Sequence, residues 1–207
     1  MIIAFISHDK WIQDEQNVIT ALLEDGLDYC HIRKPEAGVQ QIKNFINTIP
    51  HKYHNKLIVH YHFELLKTFD LRGIHFSNNN KHMIDDFLKT DYHKSISVHS
   101  LKEAEEYKDK GFDYMFLSPV FDSISKSGYD SGFKPGEVKA FLSKNNVPLV
   151  ALGGVDETRI KTAYNEGFSG IALYGALWKR FEKNSSVHDL IHYVDKIKDL
   201  CSIAHTY

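Results

Sequence analysis

The sequence predicts a single closed (β/α)8 barrel of the TIM type over residues 1–207. Three observations point there. Eight short β-rich runs alternate with longer segments of helical periodicity. The chain has 207 residues, so each unit has about 25, at the lower limit of barrels of this kind. An eighteen-residue irregular stretch, Ser118–Pro135, follows the sixth run, where a barrel carries its functional loops. An open doubly wound sheet is the competing architecture. It usually places a glycine-rich turn after its first strand, and here that turn is Ser7-His8-Asp9-Lys10.

The strands are expected at Ile2–Ile6, Tyr29–Arg33, Leu57–Tyr61, Gly73–Phe76, Ser95–His99, Tyr114–Leu117, Pro148–Leu152 and Gly170–Tyr174. The clearest helix is Ser100–Lys110. Ser100 fits an N-cap, Glu103 stands at capping-box spacing, and Gly111 follows as the stop. Gly26 and Gly167 punctuate two further helix ends.

Composition narrows the function. Hydrophobic residues make up 43% and charged residues 25%, a globular balance that supports a full core. A net charge of -2 gives no reason to expect a nucleic-acid partner. The apolar run after Met1 is too short for a signal peptide, and no stretch reaches the roughly 18 residues of a membrane span. A soluble cytoplasmic protein with small-molecule partners is the expectation. Two cysteines, Cys30 and Cys201, lack metal-ligand spacing and read as reduced core residues. There are 13 histidines, among them the pairs His60/His62 and His51/His54, but no HExxH or finger spacing. The expectation is therefore no metal cluster. Oligomeric state is not legible; a homodimer is left open.

Four constellations carry candidate chemistry. Gly153-Gly154 follows the seventh strand and Tyr174-Gly175 follows the eighth. Backbone amides there and a helix N-terminus suit a phosphate, against the plainer reading of two tight turns. In the second strand His31 and Arg33 share one face and Cys30 and Ile32 the other. The polar pair is expected at the barrel mouth, where Arg33 meets an anionic ligand or pairs with Glu36. In the fifth strand Ser95, Ser97 and His99 share a face; Ser97 and His99 read as ligand contacts or as hydrogen-bonded core residues. In the long loop, Ser123, Ser125 and Lys126 with Gly128 offer hydroxyls and a cation suited to a diphosphate.

Beyond these constellations, the chain resembles the thiamine phosphate synthase and TenI family. The matching pieces, in order, are HIRKPE (His31–Glu36), GIHF (Gly73–Phe76), SISVHSLKEA (Ser95–Ala104), DYMFLSPVFDSISKSG (Asp113–Gly128), VPLVALGGV (Val147–Val155) and GFSGIALYGAL (Gly167–Leu177). The resemblance implies a (β/α)8 fold and, for the synthase branch, the joining of hydroxymethylpyrimidine diphosphate to thiazole phosphate with magnesium and release of diphosphate. It places Arg33, Ser123, Ser125 and Lys126 on the diphosphate. Ser97 and His99 fall on the pyrimidine, and Gly153, Gly154, Tyr174 and Gly175 on the thiazole phosphate. Arg33, Lys126, His31 and His99 are the catalytic candidates.

The sequence departs from that pattern. His31 replaces the family glutamine and Pro35 the lysine. His60-Tyr61 stands for Asn-Asp after the third strand, and Ser77–Asn80 for Gly-Gln-x-Asp after the fourth, so both magnesium-binding carboxylates are absent. His31-Ile32-Arg33 is closer to the TenI branch, whose tautomerase reaction needs a histidine where this chain has Pro119. His31, His60, His75 and His99 are then the candidate proton carriers. A synthase is the leading expectation, with a thiazole tautomerase and a non-catalytic precursor-binding protein as alternatives.

Overall fold

The computed structural model describes residues 1–121, 133–134, 136–182 and 186–204. Eight parallel strands close into a barrel in sequence order. They are β1 (Ile2–Ile6), β2 (Tyr29–Ile32), β3 (Leu57–Val59), β4 (Gly73–Phe76), β5 (His93–Val98), β6 (Tyr114–Leu117), β7 (Leu149–Ala151) and β8 (Gly170–Leu173). Closure comes from β8 pairing with β1, in register Ile2 with Gly170 through Phe5 with Leu173. This excludes the open sheet. Every strand overlaps its expected run, with ends differing by at most two residues.

The described helices are α1 (Glu15–Glu24), α2 (Val39–Asn47), α3 (Ile84–Phe87), α4 (Leu101–Tyr107), α5 (Glu137–Leu142), α6 (Ile160–Asn165), α7 (Gly175–Glu182) and α8 (Val187–Ala204). The passage from β3 to β4 departs from the alternation. It holds only a 3-10 turn, Phe63–Lys67. Its span is too short for a full helix with a loop on each side, and it covers its side of the barrel with Phe63, Leu65 and Leu66 instead. No described helix is long and apolar enough to cross a membrane.

The helix ends follow from local chemistry. Ser100 Oγ accepts from the Glu103 amide at 3.1 Å, as an N-cap should. The Glu103 carboxylate reaches the His99 amide at 2.7 Å, one residue earlier than a regular capping box requires. After α1, the Leu27 amide donates to Leu22 O and the Gly26 amide to Leu23 O. After α6, the Phe168 amide donates to Ala163 O and the Gly167 amide to Tyr164 O. Both pairs form the two-bond stop that satisfies the last carbonyls of a helix.

Strand alternation divides the core in two. Residues facing outward, such as Phe5, Cys30, Ile32, Val59, Ile74, Phe76, Ile96, Val98 and Leu117, join the large layer between barrel and helices. Facing inward are Ala4, Ile6, Ile58, Tyr114, Phe116, Val150 and Ala172. Barrel interiors are usually filled by branched aliphatics. Here the side built by β2, β4 and β5 carries His31, His75, His93 and Ser95 instead, all buried.

Candidate active site

A hydrogen-bonded chain runs through the upper barrel. Ser97 Oγ lies 2.8 Å from His75 Nε2, and His75 Nδ1 lies 2.8 Å from Ser95 Oγ. Ser95 in turn bonds the Tyr114 side chain. The Tyr114 hydroxyl lies 2.6 Å from His31 Nε2, and His31 Nδ1 lies 3.0 Å from His60 Nε2. The His60 and His75 rings stack with centroids 4.2 Å apart. Burial holds all three imidazoles neutral. It drives His31 and His60 well below the usual histidine range and His75 down to about 3, with the neighbouring histidines and Arg33 adding to the effect. The Tyr114 hydroxyl is pushed well up for the same reason.

Above this chain the strand ends open. Arg33 follows β2 half-buried; its backbone amide donates to Ser7 Oγ at 2.8 Å. Among the described residues its guanidinium has no carboxylate partner, and Glu36, the candidate for that pairing, is exposed. The Arg33 charge acts on His60, His75 and Tyr174, which places it over the histidines and beside β8. Tyr174 bonds Asp9 and lies with its ring centroid 6.4 Å from that of His8.

Gly153 and Gly154 follow β7 at φ 86 and 67. A Cβ on Gly153 would stand 2.9 Å from Pro119 Cα. This position therefore needs glycine twice, for its positive φ and for the approach of the β6 loop. Gly175 opens α7, whose Trp178 Nε1 donates to Ile6 O at 2.7 Å and fixes the helix start against β1.

These positions test the sequence expectations one by one. Arg33, Ser97, Gly153, Gly154, Tyr174 and Gly175 all stand at or just beyond strand C-termini, on one end of the barrel. His31 differs: it is fully buried beneath that end rather than at the mouth, because it faces inward one layer below Arg33. His99 also separates from Ser97. β5 ends at Val98, so alternation no longer governs His99, which is exposed with Nδ1 2.8 Å from Ser118 O. Ser123, Ser125 and Lys126 lie outside the described residues. Cys30 and Cys201 are buried, and burial raises both thiols, Cys201 to about 11, so neither is a ready nucleophile.

Sequence spacing gave no metal set. Yet the barrel gathers His31 from β2, His60 from just after β3 and His75 from β4, with one ring nitrogen of each within 4.8 Å of the others. Strand alternation turns His31 on β2 and His75 on β4 to the inner side of the barrel, with β3 between them. The roles of Tyr114 and of a buried ion pair, Glu15 with Lys34, had no local signature. That pair sits behind β2, where Lys34 Nζ also donates to Lys10 O at 2.7 Å and faces the Trp11 ring at 4.6 Å.

The family profile described as thiamine monophosphate synthase matches residues 3–177. The chain belongs to that family. The match takes in β1 from Ile3, the seven other strands and every candidate position above. Among individual relatives, the thiamine-phosphate synthase of Dictyoglomus turgidum is 26% identical over 194 residues, covering 88% of this chain and 84% of that one. The thiamine-phosphate synthase of Clostridium botulinum (strain 657) is 22% identical over 167 residues, covering 78% and 82%. A thiamine phosphate pyrophosphorylase structure from Bacteroides thetaiotaomicron superposes with a TM-score of 0.83 at 29% identity, covering 98% of both chains. These likenesses bear out the resemblance read from the sequence and favour its synthase branch over the tautomerase.

Proposed function

We propose that this chain is a transferase that joins hydroxymethylpyrimidine diphosphate to thiazole phosphate. The carbon–oxygen bond of the pyrimidine methylene breaks, its electron pair leaves on the diphosphate, and the thiazole nitrogen supplies the pair for the new carbon–nitrogen bond. Such a reaction asks a protein for alignment and charge stabilisation more than for a nucleophile. The observation that carries the reading is Arg33, a half-buried guanidinium without a carboxylate partner among the described residues. It stands at the strand ends of a barrel that belongs to this family. A cation so placed is costly unless an anion meets it, and a diphosphate supplies one bidentately. Gly153, Gly154 and the start of α7 offer amides to the thiazole phosphate. Lys126, Ser123 and Ser125, outside the described residues, are assigned to the diphosphate on the family resemblance alone.

Magnesium, which the family resemblance implies, does not fit the side chains at its expected positions. His60 and Tyr61 follow β3. After β4, Asn80 is already spent: its Oδ1 accepts from the Ser77 amide at 2.6 Å and its Nδ2 donates to His60 O at 2.9 Å and His75 O at 3.3 Å. An imidazole, a phenol and an engaged amide are poor ligands for a hard cation that prefers carboxylates. No step is therefore assigned to that ion.

Steady-state assays with both substrates test the assignment. Arg33→Ala and Lys126→Ala are expected to lower kcat/KM for the diphosphate substrate by about 100-fold or more, in line with losing a charge-assisted contact to the developing leaving group. Unchanged turnover in both variants would overturn it.

A further inference from the structure

We propose that His31, His60 and His75 form a three-imidazole site for a divalent ion of the zinc and cobalt class, with a fourth position open to water or an anion oxygen. The argument begins with convergence. Side chains from β2, from the residue after β3 and from β4 bring one ring nitrogen each to within 4.8 Å of the others, and His31 Nδ1 and His60 Nε2 are already 3.0 Å apart. Nitrogens bound to zinc at about 2.0–2.1 Å stand about 3.4 Å from one another in a tetrahedron. Ring rotations within the cluster cover the difference.

The surroundings are those of a metal-binding histidine set. Such histidines commonly give their second ring nitrogen to a neighbour that fixes tautomer and orientation. His31 Nε2 has the Tyr114 hydroxyl, and His75 has a serine hydroxyl at each nitrogen, so either one can be released to an ion while the other holds the ring. The imidazoles are neutral, as coordination requires. Three nitrogen ligands without a carboxylate select a borderline ion over magnesium. They also leave its double charge uncompensated beneath Arg33. An anionic oxygen arriving from the strand ends would neutralise both. The site would then lie at the floor of the proposed substrate pocket, although ion binding itself does not depend on that assignment.

The test uses the full chain, stripped with chelator, dialysed and titrated with cobalt(II). The expected result is one equivalent bound with the intense visible bands of four-coordinate cobalt, bleached by zinc. His188 and His192 on α8 are an exposed pair, Nε2 to Nε2 2.9 Å, that could hold an ion of its own. The double variant His188→Ala/His192→Ala should therefore keep the bands. His60→Asn and His75→Asn should weaken binding about tenfold or more, and Tyr114→Phe, which removes the group holding His31, by about 10- to 100-fold. A spectrum of six-coordinate cobalt only would overturn the proposal. So would bands that vanish with the α8 pair, or bands that form with unchanged affinity in folded His60→Asn protein. His60 sits at the edge of the cluster, so its variant keeps the test open if His75→Asn fails to fold.

Discussion

Three neutral histidines inside a barrel make a claim about pH. The unfolded chain protonates them near pH 6.5, whereas burial keeps the folded forms neutral to far lower pH, about 3 for His75. Below about pH 6.5 the unfolded state thus binds more protons, and stability must fall as pH falls. Each histidine contributes up to about 1.4 kcal/mol per pH unit, so the three together give about 4. Glu15, raised by burial, opposes them, but by one proton against three. Urea midpoints measured at pH 7 and pH 5 should drop steeply at the lower pH; equal midpoints would contradict this picture. The Glu15–Lys34 pair makes a second claim. Burial raises the acid and lowers the base, and each is held charged by the other. Glu15→Gln leaves the Lys34 ammonium buried without a counter-charge, which should cost about 3–5 kcal/mol, read as a lower urea midpoint at unchanged slope. The sequence disclosed little of this. His31 and Tyr114 are 83 positions apart, and Glu15 and Lys34 are 19 apart. No local periodicity joins such residues; only the tertiary packing of strands and helices does.

At the scale of elements, legibility followed the local rules. Strands announced themselves as apolar runs, and Gly26, Gly167 and Ser100 marked helix ends, because caps and stops are settled within a few residues. The segment between β3 and β4 read poorly, since its length rather than its pattern decides that no helix forms. Gly153 shows how a local reading can be incomplete. Its place after β7 pointed to phosphate binding, yet its glycine is also required by Pro119 of the neighbouring loop. Gly153→Ala should therefore cost about 1–3 kcal/mol of stability through its positive φ alone. It should also weaken thiazole phosphate binding by displacing the β7 turn. Calorimetric titration with a thermal melt separates the two; a variant that melts and binds like the parent would contradict both roles.

At the scale of the molecule, eight alternating units sufficed to predict the closed barrel, because eight parallel strands with covering helices leave no edge unpaired. The same closure builds the candidate site. It stacks Arg33, Ser97, Tyr174 and two glycine turns on one end, above a polar interior on the β2–β5 side and a largely apolar one on the other. An aliphatic core throughout would be enough to hold the fold, so the polar side is the part that asks for a ligand. The most direct test of the account mixes the purified chain with hydroxymethylpyrimidine diphosphate and thiazole phosphate and follows thiamine phosphate by mass. The predicted result is thiamine phosphate and diphosphate formed in equal amounts, with the rate lost in Arg33→Ala. Both substrates bound at saturation with no product, at any magnesium or zinc concentration, would contradict it.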